Sequence, residues 1–173
     1  MYAIVDIETT GSHPKDNGIT EIAIVLHNGT EIEGRFETLI QPGVPVPRYI
    51  TYLTGITNEM LHTAPSFSEV ADNIFNLLQQ RVFIAHNVNF DYSFIKYHLR
   101  LSGYEWQPKK LCTLKLSHKA FPGLKKYGLG HLCRQLGIPM ENRHRAGGDA
   151  NATTLLFEKI LVTGGAQLIK DFL

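Results

Sequence analysis

Two cysteines stand in 173 residues, and Cys112 and Cys133 have no second Cys or His at a metal-binding spacing. That excludes a disulfide scaffold and a Cys/His zinc site, and leaves two reduced thiols of the small, buried kind. Long apolar runs are missing as well: the longest strictly aliphatic stretch, Ile22 to Leu26, falls far short of the roughly 20 residues a membrane helix needs. No basic stretch followed by an apolar segment opens the chain, so secretion is not indicated and a cytoplasmic setting is expected. No internal repeat, low-complexity tract or linker interrupts it. Hydrophobic residues make up 43% and charged residues 19%, the balance of a globular chain forming one domain over residues 1–173.

Net charge is small but segregated. The formal total is +1, yet residues 1–99 carry five Lys/Arg against eleven Asp/Glu, a net −6, and residues 100–145 carry ten against two, a net +8. A basic block beside acidic residues suits a polyanion held by its phosphates and cut at a metal; the plain alternative is a set of solvated helix and loop faces.

The acidic half is organised around Met1 to Gly11, MYAIVDIETTG. Side chains alternate along a strand, so Tyr2, Ile4, Asp6 and Glu8 share one face and Ala3, Val5 and Ile7 the other. A run apolar on both faces reads as an inner strand, which puts Asp6 and Glu8 at its carboxyl end beside a low-dielectric interior. Like charges there raise each other's pKa unless a cation lies between them, and Mg2+ or Mn2+ prefers such hard oxygen donors. Gly11 then lets the chain turn away.

Further along, Ser12 to Gly18 is a loop, and Ile19–His27 and Glu31–Ile40 read as strands joined at Asn28-Gly29, a strong hairpin signal. Gln41 to Arg48 holds three of the eight prolines and is irregular. Tyr49 to Thr57 is rich in aromatic and apolar side chains; it reads either as a stacking surface for a terminal base or as a loop tucking Leu53 and Ile56 into the core. Ser66 and Glu69 form a capping box for a helix to about Gln80, Val82–Ala85 is a short buried strand, and Asn89 caps a helix to about Leu101. Leu111 to Leu116 is expected as a fifth strand, followed by a basic segment, Lys115 to Lys126, interleaved with Phe121 and Tyr127. Tyr127–Leu136 then forms a helix closed by Gly137. Gly128-Leu129-Gly130 lacks the Lys-Ser/Thr of a phosphate loop.

Two more acids head buried helical stripes. From Asp91, Phe94, Ile95 and Leu99 stand at i+3, i+4 and i+8; from Asp149, Thr153, Leu156, Phe157 and Ile160 stand at i+4, i+7, i+8 and i+11, in a helix to about Val162. An acid on the core-facing stripe needs a partner, and those available are the helix N-terminus and a metal.

Three motifs in order, Asp6-Ile7-Glu8-Thr9-Thr10-Gly11, His86-Asn87-x-x-Phe90-Asp91 and His144-x4-Asp149-Ala150, cover about 145 residues. In them the sequence resembles the DEDDh family of 3'-to-5' exonucleases, the DnaQ-like group that includes the proofreading subunit of bacterial DNA polymerase III. Arg145 and the absence of Tyr three residues before Asp149 favour the His-type subclass. Cys112-Thr113 departs from the Asp-Thr common in the family, without touching a catalytic role.

The resemblance implies an α/β, ribonuclease-H-like fold with a five-stranded mixed sheet flanked by helices, and two divalent cations, Mg2+ or Mn2+, held by Asp6, Glu8, Asp91 and Asp149. It makes His144 the general base, because neutral imidazole suits taking a proton from water near pH 7. His86 is left as structural. Backbone around Thr9, Thr10 and Gly11 would recognise the free 3'-hydroxyl, Leu53 or Ile56 would wedge against the last base, and Asn87 and Phe90 would contact the terminal nucleotides. The implied activity is removal of 5'-mononucleotides from the 3' end of single-stranded or frayed DNA; an exoribonuclease of the same fold and a binding module without turnover are the alternatives. The implied partners are nucleic acid and a polymerase or fused domain, with no membrane. Nothing after Leu161 reads as a long polymerase-recruiting tail.

Overall fold

The computed structural model describes residues 1–173. The elements run β1 (Tyr2–Thr9), β2 (Ile19–His27), β3 (Ile32–Leu39), α1 (Arg48–Thr54), α2 (Asn58–Leu61), α3 (Phe67–Leu78), β4 (Val82–Ala85), α4 (Asn89–Leu101), β5 (Lys110–Cys112), α5 (Thr113–Ala120), α6 (Leu129–Leu136) and α7 (Ala146–Asp171). They build a five-stranded mixed sheet in the order β3-β2-β1-β4-β5, antiparallel on the β2 and β3 side and parallel on the β4 and β5 side. This is the ribonuclease-H-like arrangement that the resemblance implies.

The alternation along β1 divides the core. Ala3, Val5 and Ile7 pack with α3 and α4 through Ile74, Leu78, Phe94, Ile95 and Leu99. Ile4 packs on the opposite face with Leu116, Leu132, Leu156, Phe157 and Ile160 of α5, α6 and α7. Both faces of the central strand are therefore covered, which is why it is apolar throughout until Asp6. At its end the β1–β2 register breaks between Glu8 and Thr9, an irregularity of the kind that re-aims side chains beside sites.

Several boundaries follow from local chemistry. Asn28 Oδ1 accepts from the Thr30 and Glu31 N–H groups, closing the β2–β3 hairpin. The Ser66–Glu69 capping box opens α3, and Gly137 closes α6 in a left-handed conformation.

Four expectations need correction. The stretch expected as a strand over Leu111–Leu116 ends as strand at Cys112, and Thr113 starts α5. Tyr49–Thr57 is largely helical, in α1, rather than a loop. Asn89 is the first residue of α4 rather than its cap; its Oδ1 accepts from Lys110 Nζ at 3.3 Å. The final helix runs past Val162 to Asp171, with a break at Gly165 where φ is 66°. No helix is long and apolar enough to cross a membrane.

Candidate active site

Acids from three elements meet at the carboxyl end of β1. Asp6 and Glu8 point from the strand toward α7, and Asp149 enters from the first turn of that helix. One carboxylate oxygen from each lies within 4.8 Å of the others. Asp91 comes from α4 on the other face of the sheet. Parallel pairing of β1 with β4 stops at Ile4 opposite Ile84, and beyond it Asp91 Oδ1 accepts the Ile7 N–H at 3.3 Å. Asp91 is only 4% exposed.

Burial and mutual repulsion disfavour the ionised forms. Asp6 is pushed well up, first by burial and then by Asp91, Asp149 and Glu8. Glu8 is pushed to about 7 by burial, Asp149 and Glu21, with Arg145 opposing. Asp91 rises to about 8 by burial, against the hydrogen bonds its carboxylate accepts. Asp149 is raised by burial, opposed by the His144 N–H and the charges of His144 and Arg143. Its Oδ1 is buried with no hydrogen-bond partner. Hard oxygen donors, a surplus of negative charge and an orphaned carboxylate oxygen fit a divalent cation held by Asp6, Glu8 and Asp149, with Asp91 alongside.

His144 sits on the loop before α7 with φ at 62°, and its N–H donates to Asp149 Oδ2 at 3.3 Å. The imidazole-bearing residue and the acid are thus tied through backbone. Gly148 lets this loop close, because a Cβ there would run into the carbonyl oxygens of Glu141 and Asn142.

Glu21 and Arg145 are participants that sequence reasoning passed over. Glu21 lies opposite Glu8 in the β1–β2 ladder and is 1% exposed. Its carboxylate accepts from Arg145 Nε at 3.0 and 3.1 Å, from the Arg145 guanidinium again at 2.5 Å, and from the Ala146 N–H at 2.8 Å. The fork clamps the residue after His144 to the strand beside Glu8. An acid inside the otherwise apolar run of β2 was the available signal, since a buried carboxylate requires a cation or donors.

The other candidates fall into place differently. Thr9 and Thr10 are buried: the Thr9 hydroxyl donates to the Gly11 carbonyl at 2.7 Å, and the Thr10 hydroxyl accepts the Gly18 N–H at 3.1 Å. Gly11 is packed closely on the Asn17 side chain, which would have to shift to admit a Cβ. Asn87 is exposed at the strand-to-helix corner with φ at 67°, and Phe90 packs against Phe94 at 5.2 Å between ring centroids. Leu53 is 49% exposed and Tyr52 beside it 95%, whereas Ile56 is fully buried with Val46, Ile50 and Leu61. Ile56 therefore supports α1 from beneath and presents nothing to a base, which corrects its expected role.

His86 lies outside the acidic cluster. Its Nε2 faces the Tyr127 carbonyl at 3.0 Å and so carries the proton, leaving Nδ1 to accept from the Thr113 hydroxyl at 3.0 Å. Burial lowers its pKa to about 4, so it is neutral and braces the loop before α6.

A mixed sheet of this order, with acids gathered from its central strand and two helices beside a histidine, defines a ribonuclease-H-like nuclease. The exonuclease (RNase T) family model matches residues 3–157. The 3'-5' exonuclease DinG of Staphylococcus haemolyticus is 41% identical over 159 residues, 91% of this chain and 18% of that protein. DNA polymerase III subunit epsilon of Aquifex aeolicus is 37% identical over 161 residues, 92% of this chain and 80% of that protein. The solved structure of exonuclease X in complex with 5'-overhanging duplex DNA matches with a TM-score of 0.81 at 27% identity, covering 99% of both chains. The chain belongs to the exonuclease family, in its DnaQ-like 3'-to-5' group. It spans less than a fifth of the length of the DinG relatives that it matches.

Proposed function

We propose that this chain removes nucleotides from the free 3' end of single-stranded or frayed DNA, releasing 5'-mononucleotides, with two divalent cations, Mg2+ or Mn2+, at the carboxylate cluster. The observation that carries the reading is the convergence of Asp6, Glu8 and Asp149 within 4.8 Å, with Asp149 Oδ1 unpartnered. When bound, such cations supply positive charge for activating water on one side of the phosphodiester and for stabilising the departing 3'-oxygen on the other.

The chain's own groups do the rest. Asp6, Glu8 and Asp149 would hold the cations, with Asp91 contributing from the other face of the sheet. His144 takes the proton of the attacking water; its left-handed backbone and its bond to Asp149 keep it at the edge of the cluster. Backbone at Thr9 and Thr10, fixed by the closed Thr10–Gly18 loop, meets the terminal 3'-hydroxyl. Leu53, with exposed Tyr52 next to it, packs against the last base, while Asn87 and Phe90 line the corner the terminal nucleotides pass. Recognition by backbone and stacking carries no sequence preference.

The polymerase subunit among the relatives supports DNA as the substrate and work beside a polymerase, and the small share of DinG that this chain spans supports work within a longer protein; the reading takes residues 1–173 as the exonuclease unit, in the cytoplasm. The test is a 5'-labelled oligonucleotide, as DNA and as RNA, incubated with Mg2+ or Mn2+ beside a 3'-phosphate-blocked control. A ladder shortening from the 3' end, faster on DNA and absent from the blocked strand, is expected. DNA that stays full length in both metals overturns the proposal, and faster loss of RNA makes the enzyme an exoribonuclease.

A further inference from the structure

Of seventeen Lys and Arg side chains, only Arg145 forms a salt bridge with a carboxylate. Most of the others stand apart, but two converge beside His144. Arg143, the residue before it, lays its guanidinium over Gly130, where an added Cβ would sit 3.3 Å from Arg143 Cζ. Arg134, one turn further along α6, reaches back and donates its Nε to the carbonyl of the same Gly130 at 3.3 Å. Both side chains are exposed.

A lysine completes the group. Lys126 lies on the loop entering α6, two residues before its capping Gly128, and the pKa of His131 in the first turn of that helix is lowered by desolvation and then by Arg134, Lys126 and Arg143. The loop that carries Lys126 is braced. The Tyr127 hydroxyl donates to the Phe121 carbonyl at 2.7 Å and accepts the Leu124 N–H at 3.2 Å, and its ring stacks on His118 at 3.6 Å between centroids. The Tyr127 carbonyl is held in turn by His86 at 3.0 Å. Like charges kept this close repel unless an anion lies among them. The cluster also adjoins the acids, since Arg143 is one residue from His144 and its charge favours the ionised form of Asp149.

We propose that Arg143, Arg134 and Lys126 form a phosphate-binding subsite for the strand on the 5' side of the nucleotide being removed. The inference rests on the exonuclease reading for its substrate, and it makes binding dependent on strand length and on salt.

The test is fluorescence anisotropy with 5'-labelled oligothymidylates of two and about twelve nucleotides, over a range of salt concentrations. Ca2+ replaces Mg2+, and strand integrity is checked on a gel. The double variant Arg134→Ala/Arg143→Ala is expected to bind the longer strand about tenfold or more weakly, with a logarithmic salt slope shallower by roughly 1.4, at about 0.7 per lost contact. The dinucleotide should be affected much less. Arg134→Lys/Arg143→Lys, which keeps both charges, should hold the original slope. An unchanged slope in the alanine variant, or equal losses on both strands, overturns the subsite. The two proposals fail separately: a parent protein that binds the longer strand with the steep slope but leaves it uncut in Mg2+ and Mn2+ sinks the exonuclease activity alone.

Discussion

His144 is held by its backbone rather than by its ring, and this shapes what its loss should do. The hydrogen bond to Asp149 comes from the His144 N–H, so replacing the imidazole leaves that bond and the carboxylates in place. His144→Ala should lower turnover by about 10²–10⁴, the usual contribution of a general base, while the Mg2+ concentration giving half-maximal rate stays the same. A shift in the metal dependence instead would make His144 a ligand. Gly148 is the neighbouring constraint. A Cβ there strikes main-chain oxygens of Glu141 and Asn142, which cannot rotate aside as a side chain can. Gly148→Ala should therefore cost roughly 1–3 kcal/mol, as overpacking does, and displace the His144 loop. Chemical denaturation measures the first effect and turnover the second; unchanged values of both would mean that the loop yields freely.

At the scale of elements, β2 and α7 are joined by a pair whose two halves are not equivalent. Glu21 is 1% exposed at its side chain, but Arg145 is 34% exposed. With Glu21→Gln, the guanidinium can turn to water; with Arg145→Met, a buried carboxylate keeps only the Ala146 N–H. Removing the exposed partner should thus cost more, on the order of 3–5 kcal/mol, than neutralising the buried one. Urea midpoints of the two variants decide this, and equal or reversed losses would show that Glu21 is not dependent on Arg145. The pair was hard to see in the sequence because its members are 124 residues apart. The acids were easier, since Asp91 and Asp149 each head a stripe of apolar positions that the structure buries. The switch from β5 to α5 was masked by polar side chains. Thr113, Leu116 and Ser117 are buried at helical spacing, yet Thr113 and Ser117 do not register as apolar, leaving Cys112, Leu114 and Leu116 to suggest a strand. Thr113 is tolerated inside because its hydroxyl donates to His86 Nδ1, the shorter of its two contacts with acceptors. Likewise α1 buries only Ile50 and Thr54 and exposes Tyr49, Tyr52 and Leu53, the reverse of an ordinary surface helix, so its pattern pointed to no element.

Over the whole molecule, gathering Asp6, Glu8, Asp91 and Asp149 at one end of the sheet makes stability depend on pH in a direction unusual for carboxylates. Glu8 and Asp91 have pKa values in the fold of about 7 and about 8, above their ordinary 4.5 and 3.8. Folding therefore favours their protonated forms. That contribution is complete below about pH 4 and is lost as pH rises through 7 and 8. His86 works against it lower down: its pKa falls from 6.5 to about 4, so the fold loses stability as pH drops through that interval. The two trends oppose each other below pH 6.5, and only the carboxylates act above it. In excess EDTA the melting temperature should fall as pH is raised from 6.5 past about 8. Millimolar Mg2+ should remove the fall, because a cation binding only the folded, ionised cluster stabilises it more as the acids lose their protons. Glu8→Gln should flatten the EDTA curve in the same interval, since it deletes one of the groups that must ionise. A melting temperature that climbs with pH in EDTA, or the same slope with and without Mg2+, would mean that these acids are already ionised and balanced without metal. The cluster would then be an ordinary solvated group of charges rather than a cation site.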